Sequence, residues 1–141
     1  MAYDLDRFVL AQEHVYAGAL EELRRGRKTG HWIWFIFPQV AGLGYSDMSR
    51  RYALTSLDEA RAYLAHPLLG ARLRECASTL LATTRETAEE ILGATDAMKV
   101  RSSMTLFHRA APDEPIFTHV LDRFYGGVPD SATDDRLRDG A

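Results

Sequence analysis

The stretch GHWIWFIFPQ, residues 30–39, is the densest aromatic segment of the chain and decides its fold class. Its six consecutive apolar residues end at a proline, a pattern that fits a strand and a short buried helix equally well. Periodicity therefore does not distinguish the two. Because no other segment offers a convincing partner strand, we predict a short helix within residues 32–37 and an all-α protein.

Helical patterns flank this stretch on both sides. Apolar residues recur at steps of three and four over residues 5–23, which places them on one face of a first helix. Capping-box patterns at Ser56–Glu59 and Thr87–Glu90 mark the starts of two later helices. We therefore predict about seven helices of unequal length in a single compact domain, residues 1–128, that is neither a bundle nor a solenoid.

The last segment, residues 129–141, is mostly polar, and Leu137 is its one large apolar side chain. Such a segment buries little surface, so we predict a polar C-terminal tail that forms a docked turn or frays.

The composition is that of an average soluble domain, with 46% hydrophobic and 26% charged residues and a net charge of −3. Without a basic surplus, broad binding to nucleic acid is not expected. No apolar run approaches the roughly 18 residues of a membrane span, and the acidic N-terminus does not fit a signal peptide. We therefore expect a cytoplasmic protein with neither a nucleic-acid nor a membrane partner.

Motifs for metals and cofactors are missing. Cys76 is the one cysteine, and its apolar helical neighbours predict a buried, unreactive thiol. The five histidines are too scattered to predict a metal site, and the glycine-rich, zinc-protease and serine-hydrolase motifs are absent. No metal and no cofactor are predicted.

The aromatic segment is the first of two candidate binding segments. It combines two indoles, an imidazole and an amide within nine residues, which suits a pocket for a planar ligand such as a nucleobase. The alternative is that the aromatic side chains form the core of a small protein. The candidate ligand-binding and catalytic side chains of this segment are Lys28, His31, Trp32, Trp34 and Gln39.

The second candidate segment is DAMKVRSSMTLF, residues 96–107. Lys99, Arg101, Ser102 and Ser103 are expected near a helix N-terminus, where N–H groups and positive side chains favour phosphate or carboxylate. The alternative is a surface ion pair between Asp96 and Lys99, three residues apart. Lys28 and Lys99 are the only lysines among seventeen positively charged residues.

Two residues of the first helix complete the candidate site. Gln12 is an amide on an otherwise apolar face, so it needs hydrogen-bond partners and is a candidate to reach the ligand. If the protein is an enzyme, His31 or Glu13 is the predicted proton-transfer group.

The blocks HWxWFIFPQ from residue 31, HPxLGxRL from residue 66 and DxxKxxSSMTLF from residue 96 resemble those of a known family. It is an uncharacterised, mainly bacterial family, catalogued as a domain of unknown function (DUF1810) and often labelled "calpastatin family". The resemblance implies a mainly helical, intracellular protein and brings no established activity. Calpain inhibition belongs to extended, disordered repeats and does not fit this compact chain.

A fainter resemblance connects the chain with the NADAR superfamily of helical proteins, through the early aromatic block and a late helix with Lys99 and Met104. It implies NAD or ADP-ribose chemistry, which in some members cleaves an N-glycosidic bond. The leading hypothesis is therefore a protein that binds a nucleotide- or ADP-ribose-like ligand and, if it is an enzyme, hydrolyses an N-glycosidic bond. The alternative is a non-catalytic structural or protein-interaction module.

Overall fold

Helices make up most of the computed structural model, which describes residues 3–140. Within that range there are ten α-helices and no β-strand, so the all-α prediction is confirmed. In chain order the helices are α1 (Asp6–Gln12), α2 (Tyr16–Arg25), α3 (Ile33–Ile36), α4 (Asp47–Arg51), α5 (Leu57–Ala65), α6 (Pro67–Ala82), α7 (Ala88–Leu92), α8 (Ala94–Ala110), α9 (Ile116–Tyr125) and α10 (Ser131–Arg138).

The predicted count of about seven helices is too low, first because the pattern over residues 5–23 covers two helices. Residues 13–15 form a turn in which the Val15 N–H donates to the Gln12 carbonyl, three residues back. This tighter turn hardly disturbs the apolar spacing, so the break is not visible in the sequence. It allows α1 to pack on α3 while α2 packs on α6.

The second source of the difference is α10, which lies in the segment predicted as a polar tail. Asp130 caps its first turn by accepting a hydrogen bond from the Thr133 N–H. The Arg109 guanidinium makes two hydrogen bonds to the Asp134 carboxylate, at 2.9 and 3.0 Å, and Thr133 is fully buried. Polar contacts therefore dock a helix that carries little apolar surface.

The core is built around α8, which packs against α5, α7, α9 and α10. A chain of aromatic contacts crosses it: Phe8 lies 5.1 Å from Tyr63, Tyr63 lies 5.5 Å from Phe107, and Phe107 lies 5.8 Å from Phe117, between ring centroids. These four side chains belong to α1, α5, α8 and α9. Aromatic packing thus connects helices that are far apart in sequence.

The connections between α3 and α5 are held against the core by backbone pairing. Val40 and Leu54 form an isolated parallel bridge, in which Leu54 N–H donates to Gln39 and Ala41 N–H donates to Leu54. From α1, the Arg7 guanidinium donates to the carbonyls of Arg51 and Ala53. These contacts hold in place the segments between α3 and α5, which form one wall of a pocket.

Two glycines provide a matched test of the packing. Gly70 of α6 lies against α5, where a Cβ atom would overlap the Leu64 carbonyl oxygen, whereas Gly18 of α2 has open space around it. Gly70→Ala should lower the free energy of unfolding by about 1–3 kcal/mol through overpacking. Gly18→Ala should raise it by about 0.5–1 kcal/mol, because alanine is the better helix former. Urea denaturation measures both, and a Gly70→Ala protein as stable as Gly18→Ala would contradict the close approach of α5 and α6.

Candidate functional site

The aromatic segment forms the four-residue helix α3, as the sequence predicted. Ile33, Phe35 and Ile36 are buried in the core, whereas Trp34 is only partly buried. A single turn of helix therefore separates the aromatic side chains into a buried set and one indole directed away from it.

The Glu22 carboxylate organises the chain that leads into α3. Its Oε1 accepts hydrogen bonds from the backbone N–H groups of Thr29 and Gly30, at 2.7 and 2.8 Å, and from the indole N–H of Trp32 at 3.1 Å. Burial would raise the pKa of Glu22, but these hydrogen bonds together outweigh it and hold the pKa below its ordinary value. The loop before the aromatic helix thus has a fixed conformation.

Both lysines of the chain bind one carboxylate, that of Asp96 in the first turn of α8. The Lys28 ammonium lies 2.6 Å from Oδ2, and the Lys99 ammonium lies 3.1 Å from Oδ1. Each ammonium also lies over an indole: Lys28 is 5.0 Å from the Trp32 ring and Lys99 is 3.9 Å from the Trp34 ring. The two candidate segments therefore meet at Asp96.

Asp96 is ionised because of its partners. Burial would raise the pKa of its carboxyl, and the hydrogen bonds from Lys28 and Lys99 overcome that effect and lower the pKa below the ordinary value. An ion pair between Asp96 and Lys99 was the alternative to an anion-binding site in this segment, and the pair is present. It is part of a largely buried network of three charges.

A pocket of about 340 Å³ opens beside this network. Its walls come from α3, the segment after it, α4, α8 and the start of α10. Trp34, Tyr52, Val40, Leu43 and Met98 form its apolar surface. Its polar groups are Gln39, Ser49, Thr95, Lys99, Ser102 and Asp130.

Four of the sequence-predicted site residues line this pocket: Trp34 and Gln39 from the first segment, and Lys99 and Ser102 from the second. The fold thus brings the two segments together around one concavity, with an indole, an amide, an ammonium and a hydroxyl facing it.

Lys28 and Trp32 do not line the pocket. Only 7% of the Lys28 side chain is exposed, and its ammonium is bound by Asp96 and by the Gly30 carbonyl. Trp32 is 2% exposed and donates its indole N–H to Glu22. Trp32 thus belongs to the core, which was the alternative for the aromatic side chains, and both residues support the pocket from within the protein.

Gln12 is also a supporting residue. It is 1% exposed, and its amide N–H donates to the Phe35 carbonyl at 2.7 Å and to the Tyr63 hydroxyl at 3.2 Å. Its carbonyl oxygen accepts from Arg72 at 3.2 Å. The sequence indicated that this amide needs hydrogen-bond partners, and groups within the core provide them. The amide thereby joins α1 to α3.

Glu13 and His31, the predicted proton-transfer groups, are exposed and do not line the pocket. Arg101 lies outside it as well, because its guanidinium donates to the Val128 carbonyl at 2.8 Å. Since α8 begins at Ala94, Lys99 lies beyond the first turn, and the expected anion site at a helix N-terminus does not form there.

Ser102 and Ser103 are adjacent on α8 but have different surroundings. The Ser102 hydroxyl shares its one proton between the Asp130 carboxylate and the Met98 carbonyl, and the residue lines the pocket. Ser103 is fully buried, and its hydroxyl has no hydrogen-bond partner within residues 3–140. Only one of the two predicted serines can therefore contact a ligand.

Asp130 is the main site residue that sequence reasoning missed. It lies in the segment predicted as a tail, yet it lines the pocket and binds Ser102. The signal that could have found it is the aspartate before Ser131–Thr133, a typical helix N-cap. A cap alone, however, does not reveal which part of the fold the helix joins.

Metal and thiol chemistry have no support in the described part of the chain. No group of three His, Cys, Asp or Glu residues within residues 3–140 is placed to hold a metal ion. Cys76 is buried, as predicted, and burial raises the pKa of its thiol to about 12. No described helix is both long and apolar enough to span a bilayer.

The fold and the pocket define a mainly helical protein with one aromatic and polar site between α3, α8 and α10. The family described as "Protein of unknown function (DUF1810)" matches residues 2–137, so the chain belongs to that family. The crystal structure of the conserved hypothetical protein Rv1873 from Mycobacterium tuberculosis is similar, with 49% sequence identity and a TM-score of 0.95. The match covers 96% of this chain and 97% of that one. No curated protein matches the chain.

Asp96→Asn tests the lysine network. Loss of the carboxylate charge leaves the buried Lys28 ammonium without its counter-ion, and we expect the free energy of unfolding at pH 7 to fall by about 3 kcal/mol. The lowered pKa of Asp96 means that its contribution is complete above the ordinary aspartate pKa of about 4 and is lost as the pH falls through the lower folded value. Urea denaturation from pH 7 to pH 3 should show the difference between the two proteins shrinking below about pH 4, and a constant difference would contradict this role.

The adjacent serines give a second test. Ser102→Ala removes the hydroxyl proton that the Met98 carbonyl and Asp130 share, and it should cost about 1 kcal/mol of stability. Ser103→Ala removes a buried hydroxyl that has no partner, so stability should be unchanged or rise by up to about 1 kcal/mol. Thermal unfolding compares the two, and a larger loss for Ser103→Ala would show that the assignment is wrong.

Proposed function

We propose that the pocket binds a small planar ligand of the nucleoside or mononucleotide class. The observation that carries this proposal is the joint lining of one concavity by Trp34, Gln39, Lys99 and Ser102. Sites for small molecules combine apolar and aromatic walls with a few polar groups that fix orientation. A base would pack on the aromatic and apolar surface, and the polar groups would bind its substituents.

The size of the pocket favours the smaller members of this ligand class. Its volume of about 340 Å³ is at the lower end of the range for small-molecule sites, roughly 300–1,000 Å³. One base with its sugar suits that volume better than a dinucleotide such as NAD.

The charges of the pocket favour an uncharged ligand over a phosphorylated one. The Lys99 ammonium is shared with Asp96, and the Asp130 carboxylate also lines the pocket. Arg101, which was expected to add positive charge, binds the Val128 carbonyl elsewhere. A phosphate group would meet little net positive charge, so the nucleoside itself is favoured over its phosphates and over ADP-ribose.

Binding is favoured over hydrolysis of an N-glycosidic bond. A general acid or base must come within hydrogen-bond reach of the bond that breaks, and neither His31 nor Glu13 lines the pocket. We therefore propose a binding protein, and the NADAR-like reaction would require a different proton-transfer group.

The test is a thermal-shift screen with nucleobases, nucleosides, nucleoside 5′-monophosphates, ADP-ribose and NAD, followed by calorimetric titration. A ligand at a hundred times its dissociation constant should stabilise the protein by roughly 2.7 kcal/mol. Lys99→Met should weaken the binding of a monophosphate about tenfold, because a charged hydrogen bond is lost.

Arg101→Met is the matched control, since it removes one positive charge from the same helix, α8, but lies outside the pocket. Its affinity for the same monophosphate should stay close to that of the wild type once folding has been verified by thermal unfolding. If none of the compounds shifts the melting temperature, the binding proposal is wrong and the protein-interaction module is favoured.

A further inference from the structure

Asp130 occupies an unusual position at the edge of the pocket. It caps α10, is partly buried and binds α8 through Ser102. Its Oδ2 accepts three hydrogen bonds, from the Ser102 hydroxyl at 3.0 Å, the Thr133 N–H at 3.0 Å and the Thr133 hydroxyl at 2.6 Å. One oxygen of the carboxylate therefore joins the start of α10 to α8.

The other oxygen, Oδ1, accepts no hydrogen bond from residues 3–140. This oxygen is not fully buried, and Asp130 lines the pocket. The contacts of Oδ2 restrict rotation of the carboxylate, and the hydrogen bond from the Asp130 N–H to the Thr105 hydroxyl, at 2.8 Å, holds the backbone that carries it. The result is an acceptor with a full negative charge and little freedom to turn away.

The carboxylate and the indole of the pocket are connected through α8. Lys99 lies over Trp34, and Ser102, about one helical turn further along α8, binds Asp130. Trp34 and Asp130 both line the pocket, so an aromatic ring and a carboxylate face one concavity.

We infer that Asp130 accepts hydrogen bonds from the ribose hydroxyls of the bound ligand, so that the pocket selects ribonucleosides over ligands without those hydroxyls. This inference rests on the proposed function, because it requires a nucleoside in the pocket. The chemistry is general: carboxylates that hydrogen-bond a ribose hydroxyl are a recurring means of nucleotide recognition in other folds. A charged acceptor makes a stronger hydrogen bond than a neutral one, which gives the contact its discriminating effect.

The experiment compares adenosine, guanosine, cytidine and uridine with their 2′,3′-dideoxy counterparts by calorimetric titration. The wild type should bind the ribonucleoside about tenfold more tightly than the dideoxy compound with the same base. Asp130→Ser keeps a hydroxyl that can cap α10 but has no second oxygen, and its ratio of affinities should fall to about one. Asp130→Asn, with nearly the same shape and a neutral amide, should show an intermediate ratio.

Asp135→Asn is the matched control, since it removes an equal charge from the same helix but is exposed, pairs with Arg138 of that helix and lies outside the pocket. It should keep the wild-type ratio. A wild-type ratio near one, or an undiminished ratio in Asp130→Ser, overturns the role of Asp130 and leaves the proposed function intact. If no nucleoside binds the wild type at all, the proposed function fails and this inference fails with it. If Asp130→Ser does not fold, Asp130→Asn takes its place, and an undiminished ratio in that variant overturns the role of Asp130.

Discussion

The Asp96 carboxylate holds both lysines of the chain, and the geometry of the site depends on this contact. Lys28 belongs to the loop before α3, whereas Asp96 and Lys99 belong to α8. The single carboxylate therefore joins the aromatic segment to the central helix of the core. An ammonium removed from water is costly without a counter-ion, so the burial of Lys28 is tolerable only because Asp96 stays ionised beside it.

The two lysine and tryptophan pairs share one chemistry but differ in exposure. Lys28 and Trp32 are enclosed, and their polar atoms are bound by Asp96, Gly30 and Glu22. Lys99 and Trp34 carry the same ammonium-over-indole contact, and both line the pocket. The buried pair fixes the position of α3, and this position presents the second pair to a ligand. A compact ammonium suits both places better than arginine, because two cations share one carboxylate at short distance.

The sequence was sufficient for the parts of the site that depend on local pattern. Trp34, Gln39, Lys99 and Ser102 could be singled out because a stacking ring, an amide, an ammonium and a hydroxyl have recognisable chemistry within their segments. Which of two neighbouring residues faces the pocket depends on tertiary packing. The sequence alone therefore did not distinguish Ser102 from Ser103 or Trp34 from Trp32. Helix faces and caps were likewise readable, whereas the break at residues 13–15 was hidden because a three-residue turn preserves the apolar spacing.

The C-terminal segment shows why composition alone misjudges a polar stretch. Hydrophobic burial would not dock α10, but an ion pair between Arg109 and Asp134 and the buried Thr133 do so through directional polar contacts. Arg136 then donates to the Ala41 carbonyl, where Gly42 has a φ of +95° and leaves no room for a Cβ atom beside the guanidinium. The helix thereby contacts both the loop after α3 and, through its cap, α8. A polar segment that buries little surface completes the pocket, since these contacts position the carboxylate at its edge.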